Sequence, residues 1–142
     1  MVRLVLDTCV LVAALRSDQG ASRAMLMAAL DAEFDLVLST PLVLEYEAVL
    51  TRPEQLSESG LSTSEVSEFL EILCDSGILA VRDHTRQPQL RDANDEMVLE
   101  AAIGGRANGI VTFNIRHFAQ PCARIGIELM TPRQALLRIK QS

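Results

Sequence analysis

The sequence has no apolar run long enough to cross a lipid bilayer. Its longest uninterrupted apolar segments, such as residues 24–30, are far shorter than the ~20 residues that a membrane-spanning helix requires. The N-terminus also lacks the succession of basic, apolar and small residues that marks a secretory signal peptide. We therefore expect a cytoplasmic protein with no membrane contact.

Cysteine is scarce, and its spacing excludes common metal and redox motifs. Cys9, Cys74 and Cys122 are odd in number and widely separated, without the paired C-x-x-C pattern of zinc and redox sites. We expect all three to be small core residues with free thiols.

Several motifs of other α/β proteins are missing as well. No G-x-G-x-x-G or Walker loop follows the first apolar segment, so nucleotide binding of those kinds has no support. A haloacid-dehalogenase-like phosphatase needs a second acid two residues after its first, whereas position 9 is a cysteine. A response receiver needs a lysine after its fifth strand, whereas the only lysine is Lys140, near the end of the chain. Neither class fits.

Basic charge is in short supply and unevenly distributed. The 142 residues carry a net charge of −6, which counts against a nucleic-acid partner. Residues 31–75, however, hold eleven acids and one base, Arg52 (net −10), while the rest of the chain holds eight acids and twelve bases (net +4). That remainder can attract phosphate. Twelve of the thirteen bases are arginine, which suits bidentate phosphate contacts, although a compositional bias of the genome explains the same count.

Short apolar segments alternate with longer helical patterns, and a chain with 49% hydrophobic and 23% charged residues suits one globular domain, residues 1–142. Strands are predicted at residues 2–6, 34–38, 78–81, 109–112 and 128–130. Helices are predicted at residues 8–15, 21–32, 41–50, 62–74, 95–104 and 132–140. Thr40 is the predicted cap of the third helix, Pro53 ends that helix or begins the next turn, and residues 57–61 form a polar loop. The alternation predicts a single-domain three-layer α/β/α sandwich with a mostly parallel sheet of about five strands.

One acid interrupts the first apolar segment. Asp7 directly follows Leu4-Val5-Leu6, which has the pattern of a buried strand. Ligands of such sheets collect at the carboxyl ends of the strands, where a carboxylate can face a cleft and bind a metal or a substrate. The alternative role is the N-cap of the following helix, which Asp also fills well. The residue alone leaves both roles open.

Further acids occur near other strand ends and helix starts. Glu45 lies about one turn into the helix after the second strand, and Asp92 and Asp95 stand where the helix before the fourth strand begins. Carboxylates that meet at one edge of a sheet repel one another unless a hard divalent cation lies among them, and oxygen ligands suit Mg²⁺ or Mn²⁺. The alternatives are a helix cap for Asp92, with Asp95 as its first-turn partner, and a solvated helix face for Glu45. Periodicity does not separate Glu45 from Glu47.

Five blocks of the sequence resemble, in order, the motifs of a known family. They are "LVLDTCVLVAAL", "LSTPLVLEYEAVL", "DANDEMVLEAA", "GIVTFNIRHF" and "GIELMTPRQALLRI", and together they span most of the chain. They resemble the PIN-domain family, and most closely the bacterial PIN proteins that are toxin components of toxin–antitoxin systems, of the VapC kind. Five blocks in register make this resemblance fairly specific.

The resemblance implies a metal-dependent ribonuclease whose acids lie at the strand ends and bind Mg²⁺ or Mn²⁺. On the family pattern, Asp7 matches the first acid, Glu45 the second and Asp95 the third. Asp92 would be an auxiliary acid, and Thr8 matches the small polar residue that follows the first acid. The resemblance also implies a cognate antitoxin protein that covers the acidic site, and a homodimer.

The sequence departs from the family pattern at the fourth acidic position. Many relatives have an Asp where this chain has His117, within residues 111–118. Asn114 offers a neutral carbonyl ligand for the metal and His117 an imidazole, so a metal site there would carry less negative charge. His117 can protonate a leaving oxygen near neutral pH, or it can be an ordinary, partly exposed structural histidine.

The predicted function is therefore hydrolysis of RNA phosphodiester bonds by a site built on Asp7, Glu45 and Asp95. The alternative is a catalytically degenerate PIN module that binds RNA or a protein partner. Four arginines in predicted strand ends or connectors near the site are candidate RNA contacts: Arg82, Arg86, Arg91 and Arg116. For any one of them taken alone, an ordinary solvated surface position is the favoured role.

Overall fold

The structure is a computed structural model that describes residues 1–81 and 87–141. Within these residues the strands are β1 (Arg3–Leu6), β2 (Asp35–Leu38), β3 (Ile78–Leu79), β4 (Gly109–Val111) and β5 (Glu128–Met130). The helices are α1 (Thr8–Arg16), α2 (Ala21–Leu30), α3 (Thr40–Leu50), α4 (Pro53–Ser59), α5 (Thr63–Ser76), α6 (Ala93–Gly104), α7 (Ile115–Ile125) and α8 (Pro132–Lys140). None of the helices in these residues is long and apolar enough to span a bilayer.

The five strands form one sheet in the order β3-β2-β1-β4-β5, and every pairing is parallel. β1 is central: Leu4 lies opposite Leu36 of β2 on one side and Gly109 of β4 on the other. The chain leaves β1 toward β2 and later returns to β4 on the opposite side, so the direction of winding reverses between β1 and β4. In open parallel sheets, this reversal creates a crevice outside the carboxyl ends of the two strands.

The continuous apolar character of the strands follows from their burial on both faces. Leu4, Val5 and Leu6 of β1 are buried, as are Ile110 and Val111 of β4. Helices cover both faces, as parallel sheets require: α6 packs against β1, β2 and β4, whereas α2 packs against α1 and α8. The predicted three-layer α/β/α sandwich with a five-stranded parallel sheet is confirmed.

No helix was predicted at α7 from the sequence. Its segment is rich in polar residues and contains Pro121, which lacks the N–H that an interior helical residue donates. The helix forms because one of its faces is strongly apolar. Phe118, Pro121 and Cys122 are buried, and Gly126, in the left-handed conformation with φ of 76°, ends the helix.

Several predicted boundaries were also wrong. Ser39, not Thr40, caps α3, because its hydroxyl accepts the N–H of Leu42 at 3.2 Å. Residues 53–59 form α4 rather than a turn and polar loop. The second helix ends at Leu30 rather than residue 32, since Ala32 has a positive φ of 54°.

Three further element ends differ from the prediction. α6 begins at Ala93, two residues before the predicted start, because Asp92 caps it. β4 ends at Val111 rather than Thr112, and β3 ends at Leu79 rather than residue 81, although the Ala80 N–H still donates to the Leu38 carbonyl at 2.7 Å.

The cysteine prediction holds only in part. All three cysteines are free thiols, and Cys122 is buried in the core, where burial raises its pKa to about 11. Cys9 is half-buried. Cys74 is exposed on α5, so its assignment to the core was wrong.

Candidate functional site

An open cleft of about 490 Å³ lies at the carboxyl ends of β1 and β4. Seven residues singled out in the sequence line it together: Asp7, Thr8, Glu45, Asp92, Asp95, Asn114 and His117. They come from the end of β1, from α3, from the start of α6 and from the segment after β4. The reversal of winding therefore brings together side chains that are far apart in the chain.

Asp7 caps a helix and also faces the cleft. It is the N-cap of α1, and one carboxylate oxygen, Oδ1, accepts the backbone N–H of Thr8 at 2.8 Å. The other oxygen, Oδ2, accepts the hydroxyl of Thr112 at 2.7 Å. Its backbone N–H donates to the Val111 carbonyl at 2.9 Å, which ties the end of β1 to the end of β4. The side chain is only 7% exposed, so these donors compensate the burial of a carboxylate.

Thr112 is a site residue that the sequence analysis missed. It is completely buried, and its hydroxyl donates to Asp7 and accepts the backbone N–H of Asn114 at 2.9 Å. Leu6 and Val111 are partners in the β1–β4 register, so the next residues on each strand, Asp7 and Thr112, are neighbours. A polar residue directly after the strand that pairs with β1 was the available signal.

Glu45, rather than Glu47, belongs to the cleft. Glu45 is half-buried and lines the cleft, whereas Glu47 is exposed and lines a separate groove beside Glu71. Tyr46 between them is buried, and its hydroxyl donates to the Leu6 carbonyl. Burial raises the pKa of Tyr46, and the negative charge of Asp7 raises it further, so the hydroxyl stays protonated as a donor. This contact holds α3 against the end of β1.

Asp92 and Asp95 have different roles at the start of α6. Asp92 is the N-cap: its Oδ1 accepts the backbone N–H groups of Asn94 at 2.8 Å and Asp95 at 3.0 Å. Asp95, in the first turn, is half-buried. Burial is the largest cause that raises the pKa of its carboxyl, the charge of Asp92 raises it further, His117 lowers it, and Asp7 adds a smaller increase. The acids of the cleft therefore influence one another electrostatically.

His117 pairs with the third predicted acid. Its Nδ1 lies 3.0 Å from Oδ2 of Asp95, and its side chain is 53% exposed. Asn114 is exposed at the N-cap position of α7, without a side-chain capping hydrogen bond. At the position where the sequence resemblance implies a fourth acid, this cleft therefore has an imidazole in contact with a carboxylate.

A family model described as PIN domain matches residues 3–116, well over half of the chain. The chain belongs to the PIN-domain family. The match includes Asp7, Glu45, Asp92 and Asp95 and ends one residue before His117. No curated protein and no solved structure gives a significant match to the chain. PIN domains are generally nucleases and usually use divalent metal ions.

The donor chemistry of this PIN domain fits a hard divalent cation. The cleft offers the carboxylates of Asp7, Glu45 and Asp95 and the amide oxygen of Asn114, all oxygen ligands of the kind that Mg²⁺ and Mn²⁺ prefer. Among residues 1–81 and 87–141, no three His, Cys, Asp or Glu side chains already converge closely enough to hold an ion. The residues therefore fit a cation by chemical type and by the cleft that they share.

Of the four arginines that the sequence suggested, two lie in the described residues, and the cleft of the PIN domain is lined by two others. Arg91 and Arg116 are exposed, but neither is among the described residues that line the cleft. Arg82 and Arg86 lie outside the described residues. Two other arginines, Arg16 and Arg52, line the cleft instead, and the sequence analysis did not propose them.

Helical periodicity could have identified one of these arginines. Thr8, Val12 and Arg16 recur at four-residue spacing along α1, and all three line the cleft. Since residues four apart share one face of a helix, the face that begins beside Asp7 ends at Arg16.

Proposed function

We propose that this PIN domain is an endoribonuclease that hydrolyses RNA phosphodiester bonds and depends on Mg²⁺ or Mn²⁺. The observation that carries the proposal is the meeting of Asp7, Glu45 and Asp95 in one cleft at the reversal point of a parallel sheet. These three side chains would hold the cation, with Asp92 and Asn114 as additional oxygen donors.

A bound divalent cation supplies a water of lowered pKa and positive charge beside the reacting phosphate. The residues of the chain hold the site in place for that chemistry. Thr112 and the Thr8 N–H orient the two oxygens of Asp7, and the contact between Tyr46 and Leu6 holds the helix that carries Glu45. Burial raises the pKa of the Asp95 carboxyl, and His117, which lies against it, opposes that rise. A role for His117 as proton donor stays a prediction.

The first test is cleavage of labelled structured and unstructured RNA in EDTA, Mg²⁺ or Mn²⁺. We expect metal-dependent cleavage by the wild type, and a loss of about a hundredfold or more in Asp7→Asn, Glu45→Gln and Asp95→Asn, because each removes a charged ligand. Glu47→Gln is the matched control, since it changes the same residue type in the same helix outside the cleft. It should cleave at close to the wild-type rate.

Equal losses in Glu45→Gln and Glu47→Gln would contradict the assignment of Glu45.

The second candidate function is a catalytically degenerate PIN module that binds RNA or a protein partner. The observation that favours it is His117, which occupies the expected fourth acidic position and pairs with Asp95. Absence of cleavage over a broad RNA panel, together with absence of Mn²⁺ binding by calorimetry, would reject the nuclease and favour the module.

On the resemblance of its five sequence blocks, we further propose that the nuclease is the toxin of a toxin–antitoxin pair acting in the cytoplasm. Its partners would be a cognate antitoxin that covers the acidic cleft and a second copy of the chain. Induced expression should then arrest growth for the wild type but not for Asp95→Asn at equal protein levels. Unimpaired growth with the wild type would reject the toxin role and leave the nuclease proposal standing.

A further inference from the structure

The cleft presents an exposed aromatic ring in a protein that has few aromatic residues. The chain has four Phe and one Tyr. Phe34, Tyr46 and Phe118 are buried and Phe69 is half-buried, whereas Phe113 is 53% exposed. Phe113 also lines the cleft that contains Asp7 and Asp95. An isolated exposed apolar residue is ordinary, but this one lies in the candidate active site.

The backbone around Phe113 is anchored on both sides. Thr112, before it, donates its hydroxyl to Asp7 at 2.7 Å, and the N–H of Asn114, after it, donates to that same hydroxyl at 2.9 Å. The Cys9 thiol, at the start of α1, lies 3.8 Å from the same Thr112 hydroxyl. These contacts hold the segment that carries the ring in a defined position relative to Asp7, so the ring is held near the acids before any ligand arrives.

Two guanidinium groups share the cleft with this ring. Arg16 ends α1 and Arg52 lies between α3 and α4, and both are exposed. Nε of Arg16 donates to Oε1 of Gln55 at 3.1 Å, which holds the arginine between α1 and α4. The cleft thus combines acids, an aromatic face and cations, which match a metal-bound phosphodiester, a base and the flanking phosphates of a nucleic acid.

Building on the proposed nuclease function, we propose that Phe113 is a stacking platform for an unpaired base and that Arg16 and Arg52 bind neighbouring phosphates. The substrate class is therefore single-stranded RNA, or an unpaired loop. In an A-form duplex the bases are stacked inside the helix and do not reach a side chain on a cleft wall, whereas an unpaired base stacks on an aromatic ring.

The test measures RNA binding without cleavage. Asp95→Asn is used as the background in EDTA, because it removes one negative charge from the cleft and leaves the Thr112–Asn114 turn intact. Fluorescence anisotropy compares a short labelled single strand with its blunt duplex. Adding Phe113→Leu should weaken single-strand binding about tenfold or more, since stacking is lost while an apolar side chain is kept. Phe113→Trp should bind within about threefold of the background.

Leu137→Ala is the matched control, because Leu137 is 58% exposed on α8 and is not among the residues lining the cleft. It should leave binding unchanged.

Arg16→Gln and Arg52→Gln should each reduce the salt dependence of single-strand affinity, by about 0.7 in the log–log slope.

The proposal is overturned if Phe113→Leu binds the single strand as well as the background does, or if duplex and single strand bind equally. An unchanged salt slope in both arginine variants would overturn the assignment of the phosphate contacts. Because the anisotropy measurement needs neither metal nor hydrolysis, it can reject the stacking proposal without rejecting the nuclease proposal. If Phe113→Leu weakens single-strand binding but the wild type never cleaves RNA, only the nuclease proposal is refuted. If the wild type cleaves RNA but Phe113→Leu leaves single-strand affinity unchanged, only the stacking proposal is refuted.

Discussion

At the scale of single residues, neighbouring groups fix the protonation state and position of the side chains in the cleft. Asp7 stays in a nearly buried position because Thr8 and Thr112 donate to its two oxygens. Cys9, beside it, has a pKa raised to about 11 by burial and then by the charge of Asp7, which makes the thiol a poor nucleophile at neutral pH. Its position in the site therefore does not make it a reactive cysteine.

Asp95 predicts a pH dependence of stability. Burial and the charges of Asp92 and Asp7 raise its pKa above the ordinary value of 3.8, so near that pH the folded protein binds more protons than the unfolded chain. Its ionisation therefore lowers the free energy of unfolding as the pH rises from about 3.8 through the raised pKa. In EDTA at neutral pH, Asp95→Asn should therefore have a higher free energy of unfolding than the wild type, because the variant cannot ionise at this position. The difference should vanish at low pH, where Asp95 of the wild type is protonated.

Urea unfolding across the pH range measures this difference. Asp75→Asn, which removes an exposed acid from α5, is the control for the loss of one negative charge elsewhere. A gain for Asp95→Asn that is the same at every pH, or that is larger in acid, would contradict the assigned origin of the shift.

At the scale of the elements, helix starts position the site. Asp7 caps α1, Ser39 caps α3 and Asp92 caps α6, and each of these helices carries residues of the cleft in its first turns. The cap holds the first turn in place by accepting N–H groups that have no partner inside the helix. A residue such as Asp92 can therefore matter to the site without touching a substrate.

The stability of the protein should depend on the capping oxygen of Asp92 more than on its negative charge. Asp92→Ala leaves the Asn94 and Asp95 N–H groups without their acceptor and should cost about 1 kcal/mol of unfolding free energy. Asp92→Asn keeps a capping oxygen and should unfold within about 0.5 kcal/mol of wild type. Chemical denaturation compares the two. Equal destabilisation of both variants would show that the charge, and not the cap, is what α6 requires.

At the scale of the whole molecule, the winding of the sheet assembles the cleft, and one buried contact joins its two sides. The hydroxyl of Tyr46 on α3 donates to the carbonyl of Leu6 at the end of β1. Glu45 precedes this tyrosine and Asp7 follows this leucine. The contact therefore aligns two acids that are brought together only by the tertiary fold.

Tyr46→Phe should destabilise the protein by about 1–3 kcal/mol, because the ring is kept while a buried carbonyl loses its donor. Thr51→Val is the control: it removes a hydroxyl that donates to the Glu47 carbonyl at 2.7 Å at an exposed position just beyond the same helix. It should cost less than about 0.5 kcal/mol. Similar unfolding midpoints for the two variants would contradict the structural importance of the buried contact.

Sequence patterns were sufficient for the layered sheet and for most of the candidate acids. Leu4-Val5-Leu6 is apolar on both faces, as a central parallel strand must be, and Asp7 directly after it had to lie at the carboxyl end. Capping preferences placed Asp92 and Asp95 at a helix start. The helix α7 was missed because Pro121 weakens the local signal, and burial of Phe118 and Cys122 outweighs it.

By itself, then, the sequence determined which segments are strands and that carboxylates stand at their ends, because hydrophobic periodicity and capping preferences act locally. Periodicity left Glu45 and Glu47 open, the family resemblance favoured Glu45, and the tertiary structure placed Glu45 in the cleft. Only the tertiary structure joined Thr112 to Asp7 and His117 to Asp95, and put Arg52 and Phe113 in the cleft. These choices depend on how helices pack on the sheet and how neighbouring strands align. Contacts between residues distant in the chain leave no local pattern in a single sequence.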